Sequence, residues 1–111
     1  MIFDALIIGG GVSGMQCALI LGSAKNKHFA AHKKIGIIMH QRASHLENAL
    51  FNNVLGLAPK TLGKDILTEG KEQLTTLYPH VSHINNEKVL SIRKIDGIYT
   101  IETTKNSYQS K

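Results

Sequence analysis

Gly9, Gly11 and Gly14 fall in the order G-x-G-x-x-G within "DALIIGGGVSGMQCALILG", residues 4–22. Glycine at these places suits one chemistry, the holding of a diphosphate by backbone instead of side chains. The first glycine lets the chain turn sharply where a Cβ would clash. The second lets the backbone approach a pyrophosphate, and the third lets the following helix pack tightly on a sheet. Amides at the start of such a helix, around Val12 to Met15, carry about half a positive charge and point at the anion. Gly10 and Ser13 belong to the same turn. The Ser13 hydroxyl is placed to touch a phosphate, because "GVSG" lacks the leading glycine of a nucleophile elbow.

The motif has this meaning only between a strand and a helix. Ile2 to Ile8 reads as a short buried strand, since Ala5 to Ile8 is continuously apolar. Val12 to Ala24 follows with helical spacing. The basic connection "KNKHFAAHKK" leads to "IGIIM", residues 35–39, a second buried strand. Strand, glycine turn, helix and strand resolve as a right-handed βαβ unit with parallel strands. A long irregular stretch runs from His40 to Pro59. Thr61 is then placed to cap a helix over about Leu62 to Tyr78, with Ile66, Leu67, Leu74 and Leu77 on one face. Pro79 stops it, and a third strand is expected near His80 to Ile84. Beyond that the pattern alternates through "KVLSIRKI", "IYTIET" and "SYQSK", with Asp96-Gly97 as a hairpin turn. The expected fold class is α/β: a Rossmann-like, three-layer domain with a parallel sheet core and a C-terminal β-meander, occupying residues 1–111 as a single, partial domain.

Length and composition agree with one modest core. The chain has 111 residues, 42% apolar and 19% charged, ordinary values for a globular protein. Its net charge of +5 is spread along the chain: residues 1–57 carry five basic and two acidic groups, residues 58–111 eight and six. A nucleic-acid surface needs a stripe or patch, so no nucleic-acid partner is expected. Cys17 is the only cysteine, which excludes an internal disulfide, a CxxC pair and a thiolate zinc site. No apolar stretch approaches the length that spans a bilayer and no leader pattern precedes the glycine turn. A cytoplasmic protein without a membrane partner is the expectation.

An acidic residue at the end of the second strand normally accepts from the adenosine ribose. Here that place reads Met39-His40-Gln41-Arg42. Gln41 can accept a ribose hydroxyl. Alternatively, His40 and Arg42 can hold the 2′-phosphate of NADP. Spacing leaves both open.

With these segments in view, the chain resembles the FAD domain of thioredoxin reductase-like flavoproteins, of the pyridine nucleotide-disulfide oxidoreductase type. "DALIIGGGVSGMQCALILG" is similar to their N-terminal FAD fingerprint. "NNVLGLAPKTLGKDIL" is similar to the family's loop and following helix, with Asn53, Gly56 and Gly63 in the matching places, and "EKVLSIRKIDGIYTIET" to its meander. The resemblance implies FAD at the glycine turn, held by the backbone of Gly9 to Met15, with Asn53 near the flavin and Val89 against the adenine. It implies NAD(P)H as electron donor in a complete enzyme. Such reductases continue into a second dinucleotide domain, which holds the redox cysteines where present. The chain therefore looks like the N-terminal part of a flavin domain, with no catalytic residue of its own and with a homodimer or a C-terminal segment as the expected partner. The alternatives are an NADP-binding module, or a non-catalytic nucleotide-binding or interaction protein that pairs through an open sheet edge.

The remaining chemistry-bearing residues read as structure. Cys17, inside the first helix, is expected to be buried and inert. His28, His32, His40, His45, His80 and His83 form no metal-ligand pattern. Asp65, Glu69 and Glu72, interleaved with Lys64 and Lys71, read as a solvated helix face. Leu46, Leu50 and Phe51 in the long loop are expected to cover the ligand or meet a further segment.

Overall fold

β3 (Ile35–Met39) is buried along its whole length and defines the two faces of the fold. The computed structural model describes residues 1–40 and 45–111. β3 lies between β2 (Ala5–Ile8) and β6 (Ser82–Asn85) in a parallel sheet of order β2-β3-β6. A central parallel strand is covered on both faces, which is why its sequence is apolar without alternation. Ile35, Ile37 and Met39 join Met15, Ala18, Leu74 and Val81 in one core cluster on the helical side. Gly36 meets the ring of Phe3 on the other side.

The helical layer is α1 (Val12–Ser23) and α2 (Gly63–Leu77). α1 buries Met15, Ala18 and Gly22, positions three and four apart that share one face. α2 buries Leu74, with Ile66 and Leu67 partly covered, and its Gly70 lies against Met15. Asp65, Glu69 and Glu72 are exposed beside Lys64 and Lys71. The third layer is a sheet of order β1-β9-β8-β7, formed by β1 (Ile2–Phe3), β7 (Val89–Ile95), β8 (Ile98–Thr103) and β9 (Ser107–Ser110). β7 and β8 join through Asp96 and Gly97 at φ 51° and 81°, the positive pair of a type I′ hairpin.

Several expectations are corrected in detail. The strand expected over Ile2 to Ile8 is broken at Asp4, where the chain leaves one sheet for the other. The Asp4 carboxylate accepts the Lys34 amide at 2.7 Å and lies 3.0 Å from the Lys111 ammonium. Ala5 to Ile7 are half-buried and Ile8 is exposed, because β2 is an edge of its sheet. Thr61 does not cap α2. Its hydroxyl donates to the Ala58 carbonyl at 2.6 Å, and it lies in β5 (Thr61–Leu62), which pairs with β4 (Leu50–Phe51) inside the stretch expected to be irregular. Leu77 is exposed at the end of α2, and Cys17 is exposed too, on the side of α1 turned away from the core. Among the described residues no helix is long and apolar enough to cross a membrane.

Candidate functional site

The glycine turn sits at the carboxyl end of β2, the side on which open α/β sheets bind ligands. Gly9 adopts φ +113° and donates its amide to the Ile38 carbonyl at 2.9 Å, turning the chain out of the sheet. A Cβ at Gly14 would collide with the Gly9 carbonyl oxygen, so the first turn of α1 rests directly on the turn that precedes it. Gly10 lies over the Met39 side chain, which also leaves no room for a Cβ without a shift of that side chain.

α1 begins with its donors free. Gly11 is the residue before the helix, no side chain caps it, and the first turn holds no acidic residue. The Met15 amide donates to the Gly11 carbonyl at 2.9 Å and closes the first helical turn. Among the described residues the amides from Gly10 to Gly14 have no hydrogen-bond partner. Helix starts normally satisfy such donors with Ser, Thr, Asp or Asn. Here they are left free, and the exposed Ser13 hydroxyl stands among them. Met15 differs from its neighbours: its amide is committed to the helix and its side chain is buried in the core.

The other expected residues lie on later elements of the chain. His40 is exposed immediately after β3, while Gln41 and Arg42 lie outside the described residues. Asn53 is exposed in the loop that follows β4. That loop is braced by the Asn52 side chain, which accepts the Lys60 amide at 2.8 Å, and it turns through Gly56 at φ +89°. Its Leu57 reaches the start of α1, lining with Val12, Met15 and Gln16 a cavity of about 250 Å³ that α2 closes from the other side. Val89 is half-buried at the start of β7. It is brought toward the end of β3 because the Glu87 amide donates to the Met39 carbonyl at 3.2 Å.

Glu87 had no signal in the sequence. "NNEKV" reads as a charged turn, yet Glu87 is only 6% exposed. Its carboxylate accepts from the Thr103 hydroxyl at 2.6 Å, the Tyr108 hydroxyl at 2.7 Å and the Asn106 amide at 3.3 Å. Burial pushes its carboxyl upward, but these hydrogen bonds outweigh burial and hold it below the usual range. On β6, the buried Nε2 of His83 has no partner among the described residues. Burial, and then the Lys71 ammonium, lower its pKa. Among the described residues no group of histidine, cysteine and carboxylate side chains is arranged to hold a metal ion.

No protein-family profile and no curated protein sequence matches the chain. Solved structures do. The chain superposes on a thioredoxin reductase from Streptococcus pyogenes with a TM-score of 0.79 and 22% identity, over 98% of this chain and 33% of that one. An oxidoreductase from Agrobacterium tumefaciens gives 0.77 and 24%, over 99% and 34%. A ferredoxin-flavin thioredoxin reductase from Clostridium acetobutylicum gives 0.70 and 24%, over 97% and 34%. The fold is therefore that of part of a thioredoxin reductase, and the chain spans about a third of the length of the structures it matches.

Proposed function

We propose that this chain is the FAD-binding region of an NAD(P)H-dependent flavin oxidoreductase of the thioredoxin reductase-like type. One observation carries the reading: successive free amides at the uncapped start of α1, at the carboxyl end of a parallel strand. A dinucleotide pyrophosphate fits them without any Lys or Arg, through charge-assisted hydrogen bonds. The fold shared with thioredoxin reductases, one of them named as a flavin enzyme, supports FAD as the dinucleotide.

In this reading Gly9 shapes the turn, and Gly10, Gly11, Val12, Ser13 and Gly14 hold the pyrophosphate. Met15 seats the helix on the core instead of donating its amide. His40, with Gln41 and Arg42 beyond it, borders the adenosine ribose, Val89 lies against the adenine, and Asn53 lies toward the flavin. Bound FAD supplies the passage of electrons between a nicotinamide and an acceptor. The chain's own part is binding and orientation.

The test is the visible absorption spectrum of the purified protein after incubation with FAD and removal of free cofactor. The expected result is a retained flavin band. Protein that leaves the column colourless after saturation with FAD overturns the reading.

A further inference from the structure

The segment joining β6 to β7 is shaped by unusual local features. Asn86 adopts φ 61°, the left-handed region that non-glycine residues rarely occupy. The pairing of β7 with β8 then slips between Val89 and Ser91, an irregularity of the kind that re-aims side chains. Between the two lies Glu87, which joins two layers. Its amide is tied to the last residue of β3, and its carboxylate to the end of β8, the turn that follows and β9. Lys88 adds a second tie, since its carbonyl accepts the Thr104 amide at 2.9 Å.

The grip presents donors to both carboxylate oxygens. The Thr103 oxygen accepts from the amides of Lys105 and Asn106 at 3.2 and 3.0 Å, and its one hydrogen faces two acceptors, Glu87 at 2.6 Å and the Asn106 carbonyl at 3.1 Å, of which Glu87 is the nearer. The Tyr108 ring is held against Phe3, with centroids 6.4 Å apart, while its hydroxyl donates to the second Glu87 oxygen. A carboxylate, acceptor-only when ionised, meets all of these donors.

The segment so held borders one half of the proposed site. Met39 lies beneath Gly10 of the phosphate turn, and the end of β3 is where a bound dinucleotide places its adenosine ribose. Val89, two residues beyond Glu87, opens the strand that leaves this corner. We propose that Glu87 is a positioning residue for the adenosine half of the dinucleotide, holding Asn86 to Val89 as a fixed wall against the end of β3. Glu87 touches no ligand itself. It acts through Val89 and Met39, and the proposal rests on the dinucleotide reading above.

Calorimetric titration with ADP and with inorganic pyrophosphate separates this role from a general loss of stability. Glu87→Ala removes the carboxylate's ties to Thr103, Asn106 and Tyr108, keeps the backbone bonds of residues 87 and 88, and changes no residue of the glycine turn. It should weaken ADP about tenfold and change pyrophosphate less than about twofold, a selective loss of roughly 1.4 kcal/mol. Glu87→Gln should restore most of the ADP affinity, because its oxygen still accepts from Thr103 and its amide can donate to the Tyr108 oxygen. Tyr108→Phe removes a single donor, keeps the ring, and provides the same comparison if Glu87→Ala does not fold; it should weaken ADP by about threefold. Parallel losses for ADP and pyrophosphate, or ADP binding unchanged in folded variants, would overturn the proposal. Failure of the unaltered chain to bind FAD or ADP would remove the dinucleotide reading as well, so the two failures are distinguishable.

Discussion

The α-carbon of Gly14 faces the carbonyl oxygen of Gly9 across a gap too small for a methyl group. The third glycine of the motif is thereby explained by contact with the first. The neighbour is backbone, so it cannot swing aside as a flexible side chain would. Gly14→Ala must push α1 away from the turn, and overpacking of this kind costs about 1–3 kcal/mol. The melting temperature should fall by roughly 5–15 °C. FAD retention should fall with it, because the free amides move with the helix. A variant that melts and binds like the unaltered chain would show that the contact is not needed.

His83 should make stability depend on pH. It is half-buried on β6, and the surroundings, burial first and Lys71 second, favour its neutral form. Its folded-state pKa is thus depressed below the ordinary value of about 6.5. The unfolded chain then binds the proton more readily, so stability rises with pH across the interval between the two values. The contribution is complete above pH 6.5 and is lost as the pH falls through the folded value. Asp4, held down by the Lys34 amide and then Lys111, and Glu87 act in the same direction at lower pH. Thermal melts between pH 7.5 and 5 should show a falling midpoint. His83→Leu should flatten that interval and leave the carboxylate-dependent fall below it. An unchanged slope in the variant would rule out His83 as the source.

The parts legible in the sequence are those set by local pattern. "IGIIM" is continuously apolar because Ile35 to Met39 is covered from both sides, and the structure places the strand at those residues. The glycine turn and the Asp96-Gly97 hairpin depend on backbone conformations that few residues adopt, so their composition announced them. Long-range arrangements left no such trace. Nothing between Ile2 and Ile8 marks Asp4 as the point where the chain changes sheets, since its partners, Lys34 and Lys111, are distant in sequence. Cys17 looked buried because its neighbours are apolar, whereas helical geometry turns it outward beside a buried Ala18. Glu87 was invisible for the same reason. Its burial is set by hydroxyls of Thr103 and Tyr108 that only the meander brings to it.

Ser13 tests whether the start of α1 is kept free for an anion. The residue is exposed in the first helical turn, where no acidic side chain is present. A carboxylate there interacts favourably with the helix dipole, by about 0.3–1 kcal/mol. Ser13→Asp should therefore raise the melting temperature of the ligand-free chain by a few degrees. The same carboxylate would occupy the free amides and repel a pyrophosphate, so FAD affinity should fall at least tenfold. Those opposite signs separate a site from a packing motif. A turn that only seats a helix on a sheet gains stability from the aspartate and has no affinity to lose. A turn that holds a diphosphate gains the one at the expense of the other. Thermal melts with and without FAD, on the unaltered chain and Ser13→Asp, read both: FAD should raise the midpoint of the unaltered chain and leave that of the variant nearly unmoved. Equal shifts in the two proteins would mean that the glycine turn is not where the cofactor's phosphates lie.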